Sequence, residues 1–170
     1  MTLKERSIME RIEVSDLLTK VAWASLPQPG SNAPDEAPKA LLAVANAADK
    51  QSAERAYHKL LYAAGNNHDG SYYPIVLFML PVLERIIRDQ ANWPAFAALN
   101  ALIDLYCSFS PHSGYEAFVD SSGAVKEVEP ALRSAVLRLR PLLEEIVADT
   151  ETGVERRAAA QELLETISGP

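Results

Sequence analysis

The side chains in this sequence best suited to chemistry are its three histidines, its single cysteine and a polar turn between two apolar stretches. The turn reads Gly65-Asn66-Asn67-His68-Asp69-Gly70-Ser71. Its His68 and Asp69 could orient one another. A zinc site needs three or four convergent ligands, usually at tight local spacing. His58 and His112 are the only other histidines and Cys107 stands far along the chain, so that spacing is absent. Ser110-Pro111-His112-Ser113 has no G-x-S-x-G elbow around its serines. Glu144 and Glu145 are neighbours on a predicted helix and point about 100° apart, so they do not converge. No lysine follows Gly65 or Gly70 to make a phosphate loop. Asn, Asp and Gly also tolerate left-handed backbone and satisfy helix ends, so the turn is expected to be structural. No catalytic residue, metal or cofactor is expected. Loops of this kind remain favoured places for binding. Tyr72 and Tyr73 follow the turn; one should pack in the core and the other offer a rigid amphipathic surface to a partner.

The elements that would hold this turn are helices. Alanine and leucine dominate while glycine is sparse, a balance that favours helix. A first helix is expected from about Met9 or Ser15 to Leu26, with Val14, Leu17, Leu18 and Val21 on one face and Trp23 off it. A proline-rich loop, 27–38, follows. Leu41, Leu42, Ala45 and Ala48 mark a short helix. Asp49 then caps a helix whose Ala53, Ala56, Tyr57, Leu60, Leu61 and Ala64 keep helical spacing. Gly65 should stop that helix by taking positive φ. Pro74 opens the most apolar helix, which Pro81 should kink near Leu77.

Asn92 should cap a further helix with Ala95, Ala98, Leu99, Leu102, Ile103 and Tyr106 inward. Residues 108–129 form a long insertion, of a length that is often functional. A long helix then carries Leu132, Val136, Leu139, Leu143 and Ile146, with Pro141 in its interior. A last helix buries Ala160, Leu163, Leu164 and Ile167. Arg133, Arg138 and Arg140 are expected to pair with Glu129 or Glu144.

The segment Pro81-Val82-Leu83-Glu84-Arg85-Ile86-Ile87 recurs as Pro141-Leu142-Leu143-Glu144-Glu145-Ile146-Val147, and only Arg85 against Glu145 changes chemical type. The helices that follow the two segments also align. Stacked amphipathic pairs with a proline-kinked member resemble HEAT-type α-solenoid repeats, over roughly Ala53 to Ile167. The resemblance implies an all-α, compact HEAT-like stack of about six or seven helices, two of them proline-kinked, in a single domain, 1–170. The run from Tyr57 through Tyr73, YHKLLYAAGNNHDGSYY, with the kinked helix after it, also resembles small helical bacterial proteins encoded beside secreted toxins. That resemblance implies an immunity protein.

Charge narrows the partner. Sixteen Lys and Arg against 23 Asp and Glu give a net −7, which repels nucleic acid and suits a basic protein. No apolar run is long enough to span a membrane. The N-terminus lacks the apolar core of a signal peptide, and the lone cysteine fits a reducing, cytoplasmic setting. The expected function is a non-enzymatic protein-binding module: an immunity protein that covers the active site of a basic toxin domain, such as a nuclease, from an adjacent gene. The alternative is a HEAT-like adaptor or scaffold joining other proteins. A helical enzyme or metal protein using His68 stands third. Neither nucleic acid, membrane nor small-molecule substrate is expected. The partner-binding residues expected are Asn67, His68, Asp69 and Tyr72, with Tyr115, Glu116 and Asp120 from the insertion. Alternate turns of consecutive helical hairpins fall at one edge, which would bring the two loops together.

Overall fold

The computed structural model describes residues 13–89 and 92–169. The start of the first helix and part of the break near Gln90 therefore lie outside the described residues. Residues 13–19 are helical (α1) and a 3₁₀ turn follows at Trp23–Ser25. Seven α-helices come after residue 35: α2 (Glu36–Ala45), α3 (Lys50–Ala64), α4 (Val76–Asp89), α5 (Asn92–Cys107), α6 (Val128–Leu137), α7 (Arg140–Ala148) and α8 (Val154–Ser168). Short strands lie in the connections: β1 (Gly65–Asn66), β2 (Ser71–Tyr72), β3 (Ser110–Pro111), β4 (Ala117–Val119) and β5 (Val125–Glu127). The chain is thus all-α with two small sheets added. Among the described residues no helix is long and apolar enough to cross a membrane.

The helices fall into two layers. Successive helices pair as α2 with α3, α4 with α5 and α7 with α8. Across pairs, α3, α5 and α8 pack in sequence on one side, while α2, α4 and α6 do so on the other. Helix α5 is the hub, touching α2, α3, α4, α6 and α8. Its Ala95, Ala97, Ala98 and Ala101 are buried beside Leu99, Leu102 and Leu105. Small side chains on several faces let neighbouring helices close in from several directions, which a single apolar stripe would not allow.

Local chemistry explains the helix ends. Asp49 and Ser52 form a reciprocal capping box on α3. Helix α8 starts after Gly153, which has no capping side chain, and Asn92 of α5 fills that role instead. Its Oδ1 accepts from the Arg156 backbone N–H at 2.9 Å, and its Nδ2 donates to Glu155 at 2.8 Å. A Cβ on Gly153 would stand only 2.0 Å from that Oδ1, so the glycine is what admits the foreign cap. Arg156 donates to the Ile87 carbonyl at 2.8 Å, satisfying an orphan acceptor at the end of α4. Arg85 pairs with both Glu13 and Asp89, tying α1 to α4.

Several expectations change. Asn92 caps α8 rather than its own helix. Trp23 belongs to the 3₁₀ turn, buried, with Nε1 donating to the Leu18 carbonyl at 2.8 Å. Pro38 lies inside α2, so the proline-rich loop ends at Asp35 instead of residue 38. Leu42 and Ala48 are exposed, because α2 buries Ala37, Ala40, Leu41, Val44 and Ala45. Gly65 has φ −175°, extended rather than left-handed; a Cβ there would overlap the Ser71 carbonyl, so close backbone approach requires the glycine. Residues 108–129, expected as one long loop, hold strand β3, the β4–β5 hairpin and the start of α6. Pro81 does lie inside α4, but the expected long helix breaks at Arg138–Leu139 and leaves Pro141 in the first turn of α7. The two prolines are therefore not equivalent, and the sequence correspondence does not extend to them.

Candidate functional site

Three connections meet at one edge. They are the loop before α2, the turn between α3 and α4, and the segment between α5 and α6. Asn32 Nδ2 in the first donates to the Ala63 carbonyl at 2.9 Å, and Ile75 N–H donates to the Pro27 carbonyl at 3.1 Å. Strand β1 pairs antiparallel with β2, and β2 pairs parallel with β3, so the second and third connections share one small sheet. The Ser110 N–H donates to the Gly70 carbonyl at 2.9 Å, and the His112 N–H to the Tyr72 carbonyl at 2.7 Å. This pairing lets backbone groups outside the helices satisfy one another near the core. Gly70 turns the chain at φ +66°, where glycine carries no steric penalty.

Side chains hold the turn between β1 and β2. Asp69 accepts from Asn66 Nδ2 at 3.1 Å and from Ser71 Oγ at 2.7 Å. The His68 N–H donates to Asn66 Oδ1 at 3.0 Å. The His68 Nε2 lies 2.8 Å from the Tyr62 hydroxyl, and Asn67 Nδ2 lies 3.4 Å from His58 Nδ1. On the other side, Tyr73 stacks on His112 and contacts the Tyr115 ring, with centroids 4.6 Å apart in each case. All three histidines of the sequence thus stand along this edge among tyrosines.

Ser71, Asp69 and His112 suggest a hydrolytic trio, but the order is wrong for one. Ser71 Oγ lies between the carboxylate and His112 Nδ1, which is 3.1 Å away. Two oxygens 2.7 Å apart need a proton between them, so the hydroxyl donates to Asp69 and accepts from the imidazole. An activated serine must give its proton to the base. Ser71 is also buried, at 8 % exposure. The trio is a structural clasp. No three His, Cys, Asp or Glu side chains gather as a metal site among the described residues.

The seven expected partner-binding residues divide. Asn67, His68, Asp69, Tyr115 and Glu116 lie on the shared edge, with Asn67 half-buried and the others exposed. Tyr72 does not belong there: it is 1 % exposed, and burial pushes its hydroxyl up to about 12. Residues 72 and 73 point to opposite sides of an extended segment, and Tyr73 is the one facing outward. Asp120 is committed to the hairpin turn, accepting from the Ser122 and Ala124 N–H groups at 2.8 and 3.1 Å and pairing with Lys126 at 3.5 Å. Those contacts, the Ser122 side-chain bond foremost, lower its pKa. Glu116 binds the Gly114 N–H through both oxygens at 3.1 Å, and backbone hydrogen bonds lower its pKa as well.

Four further residues belong to the edge: Glu36, Tyr62, Tyr73 and His112. They line one cavity of about 510 Å³ together with Asn32 and Asn66. Tyr62 carried a usable signal, since it falls off the stripe formed by Ala53, Ala56, Leu60, Leu61 and Ala64 and is 43 % exposed. Glu36 and His112 carried none, because only the meeting of separate loops makes them neighbours. Comparison of the chain with family models, with curated proteins and with solved structures gave no match in any of the three.

Proposed function

We propose that the chain is a HEAT-like protein-binding module without chemistry of its own, an immunity protein that covers the active site of a basic toxin domain. The observation that carries the reading is the gathering of three connections at one edge, where exposed Tyr and His side chains are held by hydrogen bonds and ring contacts. Tyrosines fixed in this way supply contact area at small entropic cost on binding. From α2 to α5 the helices alternate between two layers, as stacked helix pairs require. The net charge of −7 favours encounter with a basic partner and, if that partner is a nuclease, competition with the phosphate backbone for its cleft. The test is co-expression with the product of the adjacent gene. A stoichiometric complex and loss of the product's toxicity are expected; a soluble product that forms no complex rejects the reading.

One observation favours the adaptor reading. Val119 and Val125, 65 % and 72 % exposed, face each other across the β4–β5 hairpin and offer a second apolar contact. An adaptor would hold two proteins at once, so a ternary complex at the edge and the hairpin would select it.

A further inference from the structure

We propose that the cavity between the proline-rich loop and the β1–β2 turn is a socket for one arginine side chain of the protein partner. The proposal rests on the protein-binding reading above and names the chemistry of its central contact.

Charge comes first. Among the described residues no lysine or arginine lines the cavity, whereas Glu36 does. Lys39, one turn along α2 from Glu36, pairs with Asp35 at 2.8 Å and feels the Glu36 charge only as a minor influence. Glu36 is exposed, and among the described residues its carboxylate has no ion-pair partner. The bland role of a first-turn glutamate is to complement the α2 dipole. That role does not require a cavity in front of it.

Shape and aromatic character come second. Tyr62 and Tyr73 both border the space. Tyr62 is held by the contact of its hydroxyl with His68, yet stays 43 % exposed. Tyr73 touches both His112 and Tyr115, whose rings also touch each other, so the three rings hold one another in place. A guanidinium is planar and weakly hydrated, stacks on aromatic rings, and donates in plane to a carboxylate. An ammonium would keep more of its water. At about 510 Å³ the cavity admits a long side chain together with part of the segment that carries it.

The test uses N-acetyl-L-arginine amide as the probe and its neutral near-isostere N-acetyl-L-citrulline amide as the control. Ring resonances of Tyr62, Tyr73 and His112 are followed by NMR during titration of the full chain. Saturable shifts are expected from the arginine probe, with affinity at least about tenfold weaker for citrulline. Glu36→Gln should reduce that preference and Tyr62→Ala should abolish the shifts. Both positions are exposed, and an unchanged dispersion of the core methyl signals will report an intact fold. Equal response to both probes, no saturable shift, or shifts indifferent to both variants would overturn the socket. Failure of the adjacent-gene product to bind while the arginine probe does would instead overturn the immunity reading alone. Binding of the product with no probe response would remove the socket alone.

Discussion

The imidazole of His112 lies against the ring of Tyr73, with centroids 4.6 Å apart and planes 15° from parallel. This stack clasps two connections far apart in sequence, beside the hydrogen bond between Ser71 and His112. His112→Ala removes both contacts and should cost about 1–2 kcal/mol. Hydrogen exchange checks it: the Ser110 and residue-112 amides should lose protection while the α5 amides lose only what global stability loses. Uniform loss of protection across the chain would mean that the two loops are not a separate unit.

Asn92 and Gly153 form a second long-range pair. Asn92→Ala uncaps α8 and should cost about 1–2 kcal/mol in denaturant unfolding. Gly153→Ala should destabilise because its methyl group occupies the place of the Asn92 amide. The two changes remove one shared interaction, so the double variant should lose less than the sum. Strict additivity would show that the two residues act independently.

Leu99 and Leu163 are both fully buried, in α5 and α8. Each change to Ala should cost about 2–5 kcal/mol. Leu42→Ala, at a position 36 % exposed, should stay under about 1 kcal/mol. Thermal or urea unfolding of the three variants checks the phase of all three helices.

Alkali should unfold the protein partly through Tyr72. Burial first, then the nearby Glu129 charge, raises its hydroxyl from 10.0 to about 12, while Arg133 opposes the shift. A tyrosine with a raised folded-state pKa contributes fully below its unfolded value. That contribution is lost as pH rises through the folded value, because only the unfolded chain ionises freely in between. Tyr57, half-buried and donating to Asp104, shifts in the same direction. Stability should therefore fall between about pH 10 and 12, and Tyr72→Phe should move the alkaline midpoint upward. An unmoved midpoint in a folded Tyr72→Phe variant would assign the transition to other groups.

Helix α3 was legible in the sequence because its cap, stripe and terminal glycine all agree on one element. The break before Pro141 was not. Val136, Leu139 and Leu143 are buried on both sides of it, so the apolar period runs through the turn without a phase shift. Strands of two or three residues show too little alternation to be read, and the β4–β5 hairpin was hidden for that reason. The meeting of the turn with the insertion followed from hairpin order. Which of Tyr72 and Tyr73 faced outward depended on the pairing of β2 between β1 and β3, a tertiary fact. The cross-helix cap by Asn92 likewise follows from packing, although Gly153 without a capping side chain was visible in the sequence.

The claim that this edge meets a basic partner is tested most directly by affinity for the adjacent gene product at two salt concentrations. The comparison is between wild type, Glu36→Lys, Tyr62→Ala and Asp149→Ala. Asp149 lies beyond the other end of α4 and α5, about 20 Å away at 1.5 Å per residue. Association of the wild type should slow as salt rises, because screening removes long-range steering. Glu36→Lys and Tyr62→Ala should weaken binding without loss of fold, and Asp149→Ala should bind as the wild type does. Salt-independent association, with both edge variants binding normally, would contradict the account.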